Sequence, residues 1–212
     1  QLAKAADDWF ERATETARQQ QVARYESLVI QLKAESLAVR ARYGAAALRE
    51  KTKVFAAALN ELNLPDAISR LGQLVDHRGP VLSSRSGLRC KMAVRLVSWL
   101  TQASNAFPPS LNALTEQYRN EIAWVDWAQT VLLEGDDSAD LANAYGQLRE
   151  NTRIRREVFD RRFAESLIAD QPNGTSLMPI EDALEKYVAP VAALARSLLI
   201  VVDGMSIPVF LE

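Results

Sequence analysis

The sequence predicts an all-α protein, a multi-helix bundle with long helices, followed by a C-terminal stub of one β-strand from a truncated α/β domain. From Leu2 to about Asn63 the chain has no proline and one glycine, Gly44, and strong helix formers dominate. Apolar residues recur in this region at helical spacing. The pattern changes at "LLIVV", Leu198 to Val202, whose unbroken apolar run is typical of a strand buried in a parallel sheet.

The first half of the chain is expected to form long helices over residues 2–63, with Gly44 as the position of a break. Pro65 fits the first turn of a short helix from Asp66 to Asp76, because the first turn leaves its backbone donors unused. The segment 77–87, "HRGPVLSSRSG", has the composition of a loop. One helical stripe is predicted in the first region, formed by Tyr25, Leu28, Val29, Leu32, Ser36, Val39 and Tyr43.

The second half predicts longer helices separated by capping signals. A helix over Leu88–Ala103 follows the loop, and Ser110 is a suitable N-cap for the next helix, Leu111–Leu133. Gly135 marks the end of that helix, because glycine adopts a left-handed conformation at low cost. A further helix is expected over residues 139–169. The residues available to cap it are Asp137 and Ser138.

The last predicted helix runs from Pro179 to Arg196, and Pro190 inside it predicts a kink or break. Its apolar positions have helical spacing, so one face should be apolar. The expected domains are a helical scaffold over 1–196, with sub-boundaries near 77–87 and 171–178, and the first strand of a truncated domain over 197–212.

Composition and charge restrict the class of protein. Hydrophobic residues make up 48% and charged residues 25%, which are ordinary globular values. A net charge of -2 gives no global attraction to nucleic acid or to a membrane surface. One cysteine, Cys90, fits a reducing compartment, and no apolar run approaches the about 20 residues that span a bilayer. We therefore expect a soluble cytoplasmic protein with no membrane partner, and Gln1 at the start suggests a piece of a longer chain.

Asp203 follows the predicted strand directly, at the edge where open α/β sheets bind their ligands. A carboxylate at that position can ligate a divalent cation, and the alternative is a plain Asp-Gly turn. Ser206 is interpreted as the cap of a following helix rather than as a nucleophile.

Four stretches carry a resemblance to a known family: "VDWA" (Val125 to Ala128), "DRRFAESL" (Asp160 to Leu167), "LMPIEDALEKYVAPVAAL" (Leu177 to Leu194) and "LLIVVDGMS" (Leu198 to Ser206). With these stretches the C-terminal third resembles the PglZ proteins of BREX phage-defence systems, nearest to the type 2 form. In that family a helical region precedes a catalytic domain of the alkaline phosphatase superfamily.

The resemblance implies a role in an intact parent protein rather than in this chain. Asp203 would be a metal ligand there, the divalent metal would be zinc, and the parent would be a metal-dependent phosphatase or phosphodiesterase-like hydrolase. The Ser or Thr nucleophile and the further Asp and His ligands lie downstream in that superfamily, and His77 is the one histidine here. We expect no catalysis and no cofactor in this chain, which would be a scaffold or partner-docking fragment with other BREX proteins as partners.

Two clusters of basic residues are candidates for contact with phosphate or nucleic acid. The first cluster is Arg149, Arg153 and Arg156, and the second is Arg85, Arg89, Lys91 and Arg95. The competing interpretation of the first cluster is a solvated helix that pairs its own charges, since Arg153, Glu157, Arg161 and Glu165 are four apart, as are Arg156 and Asp160. The second cluster has fewer acidic neighbours.

Other residue types favour structural roles. The helical spacing of Trp99, Trp124 and Trp127 favours core packing over base stacking, and Cys90 is interpreted as a structural thiol. An alternative function remains open, that of an autonomous helical adaptor that binds a protein or nucleic acid. The state of residues 197–212 discriminates between the two, because an adaptor would pack that tail into its bundle.

Overall fold

The computed structural model describes residues 11–78, 84–102, 107–169, 177–178 and 180–200. Helices dominate these residues and none of them lies in a β-strand, which confirms the all-α prediction for this part of the chain. The α-helices are α1 (Glu15–Gln31), α2 (Ala45–Asn60), α3 (Leu64–Val75), α4 (Ser84–Gln102), α5 (Leu111–Gln117), α6 (Ala123–Leu133), α7 (Ala139–Ala169) and α8 (Ala189–Leu194).

The chain divides into two compact units, and helix α7 contributes to both of them. Unit 1 takes Gln1–Thr101 and Glu134–Leu148, and unit 2 takes Gln102–Leu133 and Arg149–Glu212. The core of unit 1 is built from the apolar faces of α2, α3, α4 and the start of α7. Its largest buried side chains include Phe55, Leu59, Leu74, Leu96, Val97, Leu141, Tyr145 and Leu148.

Helix α1 ends earlier than the sequence predicts. After Gln31 the chain turns through Lys33, whose φ of 49° is left-handed, and a short 3₁₀ helix follows at Glu35–Arg40. The predicted stripe is therefore wrong as one continuous face. Val29 is buried, but Leu28, within α1, is 54% exposed, and Leu32, where the helix ends, is 72% exposed. Residues beyond the turn no longer share the face of α1.

The predicted break at Gly44 is confirmed, and it has a specific geometry. Gly44 has a φ of 93°, and a Cβ there would lie 3.2 Å from a carboxylate oxygen of Glu26. That carboxylate accepts a hydrogen bond of 2.5 Å from the backbone N–H of Ala45, the first residue of α2. Glycine itself offers no capping side chain, so the cap of α2 comes from Glu26 on α1.

Helix α4 begins within the predicted loop 77–87. Ser84–Gly87 are helical, so the boundary at Leu88 is wrong. The reason lies in contacts distant in sequence: the Ser86 hydroxyl donates to Asp136 Oδ2 at 2.7 Å, which fixes the first turn of α4. Helix α3 meets its prediction more closely, with Pro65 in the first turn and the Asn63 side chain accepting from the N–H of Asp66.

Unit 2 contains a helix that widens in its middle. Ser110 caps α5 as predicted, accepting from the N–H of Ala113 at 3.4 Å. A π-helical turn at Tyr118–Ile122 then joins α5 to α6 without ending the helix. Such turns redirect the faces that precede and follow them. The core of the unit contains Leu111, Leu114, Ile122, Val125, Leu132 and Phe159.

Helix α7 has the predicted bounds, Ala139–Ala169. Gly135 takes a φ of 71°, and the Ser138 hydroxyl accepts from the N–H of Leu141 at 3.5 Å, so Ser138 rather than Asp137 is the cap.

The last described segment is irregular and exposed. Its helix consists of a 3₁₀ turn, a π-helical stretch at Leu184–Val188 and α8, with the predicted change of geometry just before Pro190. Leu198–Ile200 lie in neither a helix nor a strand and are exposed, so the described residues do not support the predicted strand. Residues 201–212 are outside the described part of the chain.

Candidate docking surface

The residues proposed for metal chemistry are not brought together by the described structure. Asp203 and Ser206 lie outside the described residues, so no geometry exists for either. Within 11–78, 84–102, 107–169, 177–178 and 180–200, no group of three or more His, Cys, Asp or Glu side chains could hold a metal ion.

His77 is buried beside a lysine. Its Nδ1 lies 3.4 Å from Nζ of Lys51, and both side chains are less than 5% exposed. Burial, with the positive charge of Lys51, lowers the pKa of His77 to about 4. Burial also lowers the pKa of Lys51, and Asp76 partly opposes that effect. The pair holds a neutral imidazole in the core of unit 1.

The Arg85, Arg89, Lys91 and Arg95 cluster is divided by the early start of α4. Residues four apart share a helical face, so Arg85 and Arg89 point one way and Lys91 and Arg95 another. Arg89 donates to Glu134 at 2.6 Å and lies 3.7 Å from Asp136. The hydrogen bond that Arg89 donates to Glu134 raises the pKa of Arg89. Any phosphate would have to compete with these carboxylates for Arg89.

The arginines of α7 also bind carboxylates of their own unit. Arg153 forms ion pairs with Glu150, at 2.7 Å, and with Glu157. Both partners lie within α7, so the predicted internal pairing is confirmed at Arg153. The predicted partner of Glu165 was Arg161, but the ion pair seen for Glu165 is with Arg162, at 3.5 Å.

Arg156 is more enclosed than Arg153. It pairs with Asp160 as predicted, and also with Asp126 on α6 at 3.0 Å, which the sequence did not indicate. Its guanidinium lies 5.0 Å from the ring centroid of Phe159 and 5.6 Å from that of Tyr118. Burial alone would lower the pKa of Arg156, but its hydrogen bonds and charge attraction to Asp126 and Asp160 raise it overall. This arginine joins two helices.

Trp99 and Cys90 have the predicted buried surroundings, whereas two of the tryptophans are less enclosed than core packing requires. Trp99 is buried, and Trp124 and Trp127 are half-buried. Cys90 is fully buried with its Sγ 3.4 Å from the hydroxyl of Tyr145, and burial raises the pKa of the thiol to about 11. The thiol is therefore unreactive at neutral pH.

One groove in unit 2 is lined by four side chains of α7, two of them apolar and two polar, together with Phe107. It has a volume of about 370 Å³. Ile154 and Val158 are each about half exposed in this groove. Arg155 contributes a positive charge, and its pKa is lowered, chiefly by burial. We call it the α7 groove, and it is lined by Phe107, Asn151, Ile154, Arg155 and Val158.

A second apolar surface lies on the C-terminal segment. We call it the C-terminal stripe: Leu184, Tyr187, Val191 and Leu194, each between 58% and 89% exposed. Leu184 and Tyr187 lie in the π-helical stretch, whereas Val191 and Leu194 lie in α8. The sequence predicted one regular apolar helical face here, but neither the π-helical stretch nor the exposure of these side chains. It missed the α7 groove, for which the one signal was the pair Ile154 and Val158 within an arginine-rich helix.

The fold and these surfaces define a class: an all-α, multi-helix protein with exposed apolar helix faces. No helix among the described residues has the length and apolar character needed to cross a membrane. No protein-family model, curated protein or solved structure compared with the chain matches it.

Proposed function

We propose that this chain is a helical scaffold and protein-docking region of a PglZ-like protein of a BREX phage-defence system. The observation that carries the proposal is the run of exposed apolar side chains from the C-terminal stripe to Ile200. Exposed apolar surface of this extent is typical of sites that bind another protein surface. The run also lies within the stretches that resemble PglZ proteins, "LMPIEDALEKYVAPVAAL" and "LLIVVDGMS".

Three of the seven cations proposed for phosphate contact are already held by carboxylates, which favours docking to protein over docking to phosphate at these positions. Arg89, Arg153 and Arg156 all form ion pairs with carboxylates of their own unit. Nucleic-acid binding depends on Lys and Arg side chains that contact phosphates, and these three arginines would first have to leave their carboxylate partners. The apolar side chains of the C-terminal stripe need no such exchange.

In the proposed parent protein, the region beyond residue 197 would continue into a phosphatase-like domain. Asp203 would ligate a divalent metal there, zinc by the resemblance, and the parent would hydrolyse a phosphate ester. The helical region would hold that domain in place and bind other BREX proteins.

The test compares this chain with a longer natural chain that continues through the phosphatase-like domain. We expect metal-dependent phosphodiesterase or phosphomonoesterase activity in the longer chain alone, and its loss on Asp203→Ala. Hydrogen exchange of residues 184–200 should slow at least tenfold in the longer chain, because the neighbouring domain would cover them. Equal exchange in both chains, or turnover by this chain alone, would refute the proposal.

An autonomous adaptor is the second candidate, and one observation favours it. Unit 1 also exposes apolar side chains at helical spacing on α3, where Ile68 and Val75 are 55% and 69% exposed. An adaptor could bind its partner there without any contribution from residues 197–212. Substitution of Ile68 by Asp would then abolish partner binding, whereas Leu194→Asp would leave it unchanged; the scaffold proposal expects the opposite order.

A further inference from the structure

Three segments of unit 1 meet at the buried side chain of His77. The residue follows the end of α3, and its Nδ1 lies 3.4 Å from Nζ of Lys51 on α2. The backbone of Gly44, in the corner formed by residues 42–44 before α2, also faces the ring. One imidazole therefore lies where the end of α3, helix α2 and the corner come together.

The two neighbours of His77 in sequence hold the corner in place. The guanidinium of Arg42 donates to Asp76 Oδ1 at 2.8 Å, and the carbonyl of Arg42 accepts from the backbone N–H of Arg78 at 2.6 Å. Tyr43 and Arg78 also form an isolated parallel bridge. Because these bonds come from the residues on either side of His77, a movement of His77 out of the core displaces both of them.

We propose that residues 76–78 form an acid-sensitive latch on the corner at residues 42–44. Protonation of His77 drives its side chain out of the core, and the latch then releases the corner while α2 stays packed on α3. The latch is independent of the docking role proposed above, because all of its residues belong to unit 1.

The charges around His77 disfavour a second cation at this position. Lys51 is the nearest charged group and is itself buried. Arg42 adds positive charge beside Lys51, and Asp76 opposes it but is already paired with Arg42. A buried cation without an acidic partner of its own is costly, so the closed latch holds the ring neutral.

Hydrogen bonding around the ring leads to the same conclusion. Nε2 of His77 is buried, and among the described residues it has no partner with full hydrogen-bond geometry. Arg78, the next residue, is exposed and pairs with Glu11 at 3.8 Å, so it brings no carboxylate to the ring. The pKa of His77 is about 4 in the closed latch against an ordinary 6.5, and a falling pH therefore favours the open latch.

The opening is local because the two sides of the corner are packed differently. Helices α2 and α3 pack against each other and bury large side chains. The cluster beside the corner is small, since three of its four buried residues are alanines. The buried residues of α2 and α3 include Phe55, Leu59, Ala67 and Leu74, and the small cluster consists of Val29, Ala38, Ala46 and Ala47. Less apolar area therefore holds the corner than holds α2 on α3.

The first measurement is amide hydrogen exchange of the full chain by NMR at pH 6.5 and at pH 4. We expect the protection factor of the Arg78 N–H to fall by about tenfold or more, whereas that of Phe55 in α2 stays within about twofold. The chain has a single histidine, so its imidazole signals report proton uptake by His77 directly. Equal losses at Arg78 and Phe55 would show global unfolding and overturn the proposal. So would a histidine that titrates near pH 6.5 while Arg78 stays protected.

Three variants separate the histidine from the ion pair. His77→Gln cannot be charged and should abolish the fall, and Lys51→Met removes the neighbouring cation and should make the fall smaller. Asp76→Asn is the control: it should lower the protection of Arg78 at both pH values and leave the fall between them in place. Circular dichroism checks the helix content of each variant, and the unaltered chain with Lys51→Met decides the matter if His77→Gln does not fold. A fall that persists in His77→Gln, or that disappears in Asp76→Asn, contradicts the latch.

Discussion

Helix α7 and the C-terminal segment 180–194 have similar sequence patterns and different surroundings. Both carry apolar residues at helical spacing and ion pairs four residues apart, Arg156 with Asp160 and Lys186 with Asp182. In α7, Phe159 is 1% exposed, whereas Leu194 in the segment is 89% exposed. Periodicity thus identifies which face is apolar, but tertiary structure decides whether that face is covered.

The largest effect should come from a covered apolar side chain. Phe159 lies among the rings of Phe107, Tyr118 and Phe163, with the nearest centroid 5.3 Å away. Phe159→Ala removes these contacts and leaves a cavity, so we expect a loss of about 4 kcal/mol in the free energy of unfolding. Leu194→Ala is the matched substitution in the uncovered segment and should change it by less than about 0.5 kcal/mol. Urea unfolding of both variants tests the contrast, and equal losses would refute it.

A smaller effect is expected from a covered charge. Arg156→Met leaves Asp126 half-buried without its partner across the helices, and should destabilise the protein by about 2 kcal/mol, between the values for surface and buried pairs. Arg153→Met is the control, because Arg153 pairs only on the solvent side of α7 and should show little change. Combining Arg156→Met with Asp126→Asn should recover part of the loss. If Arg153→Met lowered the free energy of unfolding more than Arg156→Met, the assignment of Arg156 and Asp126 as the covered pair would be wrong.

The third effect depends on pH and arises from the buried side chain of His77. Segment 180–194 contains no histidine and should not contribute to it. The pKa of His77 is about 4 in the folded state against an ordinary value of 6.5. Its contribution to stability is therefore complete above pH 6.5 and is lost as the pH falls toward 4, because the unfolded chain takes up the proton first. We expect a loss of about 2 kcal/mol over that range, allowing for screening. Thermal unfolding of His77→Gln should show a flatter profile between pH 6.5 and 4; an unchanged slope would refute this role.

The fold could be predicted where its signals are local. Gly135 and Ser138 mark the start of α7 in sequence, and the structure begins the helix there. The start of α4 could not be predicted, because Ser86 is held by Asp136, which lies 50 residues away. The end of α1 was missed for another reason: Lys33 adopts a left-handed φ that is usually associated with glycine.

The same distinction applies to the candidate surfaces. Ion pairs of Arg153 with Glu157 and Arg156 with Asp160 follow from a spacing of four residues. The pair between Arg156 and Asp126 joins residues 30 apart, so no helical spacing indicates it. The α7 groove likewise requires Phe107 to lie beside α7, which is a property of the folded unit.

The cap of α2 by Glu26 has a consequence for cooperativity. Because Gly44 brings no side chain of its own, the first turn of α2 is complete only when α1 has formed and Glu26 reaches the N–H of Ala45. We therefore expect loss of α1 to weaken the first turn of α2, although a glycine with a φ of 93° separates the two helices. Gly44 permits the corner between them, and partial unfolding of unit 1 that removes α1 should also free the N–H groups at the start of α2.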